Sequence, residues 1–126
     1  MSSARLACLL VLLAAPVSAE TRPPACLFPR GGDTLDQPCL ALLSRIAEAW
    51  KAAPGRIRVE GHAQDQQGPR VDGLLSRRRA VAVAEALEGL GVAQGSIAAV
   101  TPPAEPRDMR ARVDPFSRRA EIHRLP

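Results

Sequence analysis

The chain has 126 residues with 17 basic and 13 acidic side chains, a formal net charge of +4, which is the size of one small domain and leaves no room for a second. Its aromatics, Phe28, Trp50 and Phe116, are few and scattered. So mild a positive charge with so little to stack on bases excludes a nucleic-acid binder and suits a partner carrying scattered carboxylates.

Residues 1–19 read as a secretory signal: Arg5, an apolar run from Leu6 to Ala15, then Val17 and Ala19 as the small residues that flank a cleavage site, which places the mature N-terminus at Glu20. An apolar run of about ten residues is half of what a bilayer span needs. Export to the periplasm is therefore expected, with association at the outer membrane or cell wall and no transmembrane segment in the mature chain. Cys8 follows Leu6-Ala7 in a weak likeness to a lipoprotein site, but the apolar run continues past it and it reads as an ordinary signal residue. The mature part keeps Cys26 and Cys39. An oxidising compartment makes a structural disulfide their default, against two free thiols or a redox pair, and no CxxC spacing supports the latter.

Residues 20–25 contain two prolines and no pattern, and form a lead segment to a domain spanning 26–126. Ala25 to Phe28 predicts a brief strand, stopped by Pro29 and Gly31-Gly32-Asp33. From Asp36 to Ala53, Leu40, Leu43, Ile46, Ala47 and Trp50 recur at three- and four-residue intervals, which predicts an amphipathic helix. Asp36 caps it, Pro38 sits in its first turn and Pro54-Gly55 ends it. Arg56 to Gly61 alternates, with Ile57 and Val59 facing the core. A polar loop from His62 to Val71 leads into a second helix from about Asp72 to Leu90, packed through Leu75, Val83, Leu87 and Leu90, with Gly91 at its C-cap. Ile97 to Val100 and Arg118 to Leu125 predict two more strands, joined by a proline-rich surface loop from Thr101 to Pro115 with at most a turn of helix near Arg107 to Arg112. The order predicts an α+β fold of two layers, β-α-β-α-β-β, with a small mixed four-stranded sheet and both helices on one face.

Three segments carry chemistry in a fixed order: Val59-Glu60-Gly61-His62, Leu75-Ser76-Arg77-Arg78-Arg79-Ala80, and Ser117-Arg118-Arg119-Ala120-Glu121-Ile122. Together they resemble the OmpA-like peptidoglycan-binding family, whose pattern reads EGHTDxxG, then an Asn, then LSxxRA at a helix start, then NRRVEI. The resemblance covers roughly Cys26 to Ile122. It implies a non-catalytic domain of the cell envelope that holds the diaminopimelate residue of the peptidoglycan stem peptide, an Asp taking the ammonium and an Arg the carboxylate, with no cofactor. The ungapped spacing puts Arg79 on the binding Arg and Gln64 on the binding Asp. An amide lacks the charge that strengthens such a contact, about 1.5–3 kcal/mol for a charged hydrogen bond against roughly 1 for a neutral one.

Two acids are placed to compensate, Asp65 on the same loop and Asp72 where the family has its Asn. The loop glycine is shifted too, Gln67 standing in its position and Gly68 following. The expectation is that Asp65 turns toward Arg79 and Gln64 turns away. Arg118 and Arg119 match the paired arginines of the third segment, and alternation sends one to each sheet face, so one of them supports the site. Ser117 replaces the family's Asn. His62 reads as a residue ordering the loop; a metal site is not expected, because His123 belongs to another strand and no second ligand lies at metal spacing. A hydrolase built on Ser76, His62 and Asp65 has no nucleophile elbow to support it. The wall-binding reading requires the Arg79 guanidinium to face a cleft rather than an internal ion pair. The alternative is a family member that has lost wall binding and serves as a periplasmic interaction or assembly module for another envelope protein.

Overall fold

The computed structural model describes residues 22–65, 67–102 and 115–126. The expected signal segment and cleavage site, Cys8 and most of the proline-rich loop lie outside the described residues. Four strands and two helices follow in the order β1 (Ala25–Leu27), α1 (Gln37–Ala52), β2 (Arg56–His62), α2 (Pro69–Gly89), β3 (Ile97–Val100) and β4 (Arg119–Leu125), with short 3-10 turns at Gln94–Ser96 and Pro115–Ser117. The sheet order is β1-β4-β2-β3. β2 runs parallel to β3 and antiparallel to β4, and β4 is antiparallel to β1, so the sheet is mixed as expected.

Alternation explains the layering. Ile57 and Val59 of β2 and Ala120 and Ile122 of β4 are buried in one cluster with Cys39, Leu43 and Ala47 of α1 and Ala80, Val83 and Leu87 of α2. Both helices therefore cover the same sheet face. α1 begins where its sequence says it should: the Asp36 carboxylate accepts a hydrogen bond from the Cys39 N–H at 2.9 Å, satisfying one of the free donors of the first turn. A disulfide joins Cys26 of β1 to Cys39 of α1, Cα to Cα 5.0 Å, and fastens the three-residue edge strand to the helix layer.

α2 starts at Pro69, three residues before the position expected from periodicity. Gly68 turns the chain in with φ 95°, a left-handed value that favours glycine, and Pro69 supplies the fixed φ of a first helical residue. Asp72 thus lies in the first turn of α2, where the positive end of the helix dipole favours an acid. One contact sets how α2 meets the sheet. A Cβ at Gly61 would lie 1.7 Å from the Ser76 carbonyl oxygen, so only glycine lets the end of β2 touch the α2 backbone. Among the described residues no helix is long and apolar enough to cross a membrane.

Candidate functional site

α2 carries Arg79 toward the end of β2, where it is wholly buried with 0% exposure. The local path explains why a charge can sit there. Residues 29–32 form a tight turn closed by the Gly32 N–H on the Pro29 carbonyl, with Gly31 at φ 70°, and this turn aims two carbonyls inward. Arg79 Nε donates to the Gly32 carbonyl at 2.8 Å, and its terminal nitrogens donate to the His62 and Pro29 carbonyls at 3.0 and 3.1 Å. The same two nitrogens grip both oxygens of Asp65 at 3.1 Å each. All five N–H groups of the guanidinium are then engaged, and the ring of Phe28 lies 5.3 Å from its centre.

Asp65 is as buried as its partner, its side chain 0% exposed, and also accepts the Gly31 N–H at 2.5 Å. Burial works to raise its pKa, but the hydrogen bonds from Arg79 and Gly31 and the charges of Arg79 and Arg118 outweigh it and hold the carboxyl below its ordinary value. Asp65 is ionised at neutral pH, so the contact is a bidentate ion pair of the kind that Arg and carboxylate planes favour.

The other residues expected at this site divide. Gln64 is half-buried and takes none of the five donors of Arg79. Asp72 is buried, and its carbonyl accepts the Ser76 hydroxyl at 2.9 Å; the acid on the guanidinium is Asp65. Arg118 is half-buried, adds positive charge near Asp65, and its carbonyl holds the Phe28 N–H at 2.9 Å. Arg119 goes to the opposite sheet face, where Nε meets Glu121 at 3.3 Å. His62 serves the site through its carbonyl, not its ring. The guanidinium faces no open cleft: its carboxylate position is filled by the protein's own Asp65.

The ring of His62 belongs to a second cluster that the strand-by-strand reading missed. Antiparallel pairing sets Glu60 of β2 directly opposite Glu121 of β4, with Arg58 opposite His123 and His62 opposite Arg119. His62 and His123 therefore share the sheet face turned away from the helices, although they lie on different strands. Burial first, and then the charge of Arg119, lower the pKa of His62 despite the opposing pull of Glu121 and Glu60. Burial works to raise the pKa of Glu121, but Arg119 and the two histidines outweigh it and lower it.

Comparison with known proteins places these features in a family context. The OmpA family matches residues 27–115. Among solved structures, the peptidoglycan-associated lipoprotein from Burkholderia pseudomallei is 25% identical, with a TM-score of 0.68 over 87% of this chain and 96% of that one. The cell wall anchor of the T6SS from Pseudomonas aeruginosa is 26% identical, with a TM-score of 0.59 over 76% of this chain and 72% of that one. The C-terminal domain of Helicobacter pylori MotB, 21% identical with a TM-score of 0.61 over 78% of this chain and 81% of that one, shares the fold. Curated protein sequences give no match.

Proposed function

This chain belongs to the OmpA family, and from that premise we propose that it is a non-catalytic peptidoglycan-binding domain of the periplasm. The open cleft required for direct capture by Arg79 is not found, the guanidinium being closed in an internal ion pair, so the proposed hold on the diaminopimelate of a stem peptide requires Arg79 and Asp65 to exchange their own pair for the ligand. Similarity to a peptidoglycan-associated lipoprotein and to a cell wall anchor supports the ligand class. The observation that carries the mechanism is the carbonyl cradle. Pro29, Gly32 and His62 pin the guanidinium without help from Asp65, so its terminal N–H groups keep their aim when that carboxylate leaves.

A ligand carboxylate has the same planar pair of oxygens and takes the same two nitrogens. Asp65, freed, turns to the ligand ammonium. At the guanidinium one carboxylate replaces another, so the exchange is nearly neutral there. The gain is the new ammonium contact, about 1.5–3 kcal/mol for a charged hydrogen bond, set against the lost Gly31 N–H to Asp65 bond. Binding at a single site is therefore weak. Gln64, beside the acid on the loop, is available to hydrogen-bond the peptide without adding charge.

A second reading has one observation in its favour: both charges are wholly buried and every guanidinium N–H is already used. On this reading the pair is a permanent clamp between the 29–32 turn and α2, and the domain contacts another envelope protein instead of the wall. Sedimentation with purified peptidoglycan sacculi separates the two. The exchange reading expects the wild-type protein to pellet and free diaminopimelate to release it. A folded protein that stays in the supernatant supports the clamp.

A further inference from the structure

On the sheet face away from the helices, each of the two opposed glutamates has its oxygens divided between two tasks. Glu60 Oε1 meets Arg58 Nε at 3.0 Å and Glu121 Oε2 meets Arg119 Nε at 3.3 Å. The remaining oxygens, Glu60 Oε2 and Glu121 Oε1, face both histidines. His62 Nε2 lies 3.7 Å from the former and 3.3 Å from the latter, and His123 Nε2 lies 3.6 and 3.7 Å from the same two atoms. Both Nε2 atoms are buried and lack a hydrogen bond of good geometry. Two imidazole nitrogens and two carboxylate oxygens thus alternate around one point, and ligand atoms of Glu60, His62 and Glu121 all lie within 4.8 Å of one another.

We propose that Glu60, His62, Glu121 and His123 form a binding site for a zinc-class divalent cation, separate from the Arg79 site. Ligand atoms about 2.0–2.1 Å from a tetrahedral zinc ion stand about 3.3–3.4 Å apart, and the four histidine–glutamate contacts here are 3.3, 3.6, 3.7 and 3.7 Å. Glu60, His62 and Glu121 are already grouped within 4.8 Å, and His123, which lies outside that group, completes the set by swinging its ring toward His62. The donor set is of the right kind, since imidazole with carboxylate suits zinc, whereas magnesium and calcium prefer oxygen alone. Two carboxylates directly opposed across antiparallel strands repel each other, and a dication between them relieves this. Arg58 and Arg119 orient the carboxylates from behind, the place outer-shell partners occupy in metal sites. Bound there, the ion ties β2 to β4 across the middle of the sheet.

The chain contains only two histidines, so two imidazole NMR signals report on the site without ambiguity. Tag-free protein, stripped with a chelator and dialysed, is titrated with ZnCl2 while those signals and the heat of binding are followed. Both imidazoles shift and saturate at one equivalent, and MgCl2 moves neither. His62→Ala and His123→Ala, on the open face and checked for folding by circular dichroism, each weaken binding by more than about 100-fold, while Arg58→Met and Arg119→Met weaken it by about 10- to 100-fold. The proposal is overturned if only one imidazole or neither responds, if magnesium competes equally, or if folded His123→Ala binds zinc within about threefold of wild type.

Discussion

Replacing Asp65 by Asn keeps the shape of the side chain and removes its charge, leaving Arg79 as a buried cation without a counter-ion. Breaking a buried pair from one side costs about 3–5 kcal/mol. Three carbonyls still satisfy the guanidinium, which puts the cost near the lower end, at about 3 kcal/mol. In a domain of this size each kcal/mol moves the melting temperature by about 4–8 °C, so Asp65→Asn lowers it by at least about 12 °C. The pH dependence has a definite sign. The folded-state pKa of Asp65 is depressed, so the wild-type advantage is complete above the unfolded pKa of about 3.9 and disappears as pH falls through the lower folded value. Thermal unfolding of both proteins by far-UV circular dichroism, at pH 7 and stepwise into acid, measures both effects. A melting difference within about 2 °C at pH 7, or one that persists unchanged in strong acid, refutes the assignment of a stabilising ion pair.

Gly61→Ala drives a Cβ to 1.7 Å from the Ser76 carbonyl, a backbone clash that no rotamer relieves, and destabilises by about 3 kcal/mol or more in urea denaturation. Removing the Cys26–Cys39 disulfide, which closes a loop of sequence separation 13, costs about 3 kcal/mol, seen as a melting shift between oxidised and reduced protein. His62 has a lowered folded pKa, so the unfolded chain binds its proton more readily; stability falls as pH drops through the ordinary histidine value of 6.5 toward the folded value. Calorimetry in this window shows that slope in wild type and a shallower one in His62→Gln.

What the sequence disclosed depended on whether a feature leaves a side-chain mark. α1 was legible because Asp36, Pro38 and Pro54-Gly55 each act locally on the backbone. The apolar period puts the start of α2 three residues late, because Gly68-Pro69, a start signal, is followed by Arg70 and Val71, both exposed and outside that period. Arg79 and Asp65 could be paired on paper from spacing and charge. The cradle around them could not, since it is made of the carbonyls of Pro29, Gly32 and His62, and a carbonyl carries no residue signature. Burial of the pair follows from that cradle, which is why an open cleft was expected and a closed contact found. The second cluster was hidden by register. Glu60-Gly61-His62 and Glu121-Ile122-His123 repeat the same Glu-x-His spacing, a signal visible in the chain, but only the pairing of β2 with β4 turns two triplets into one group.

The exchange of ion pairs at Arg79 is tested most directly by an amide NMR titration of the intact wild-type protein with diaminopimelate, read at two signals, the Gly31 N–H that donates to Asp65 and the Arg79 Nε–H that donates to Gly32. The exchange requires the Gly31 signal to move in a saturable way as its acceptor departs, while the Arg79 Nε–H signal stays near its place in the cradle. Sacculi that pellet the protein while the Gly31 amide remains unmoved by diaminopimelate would contradict it, and would send the search for the wall contact to another face of the domain.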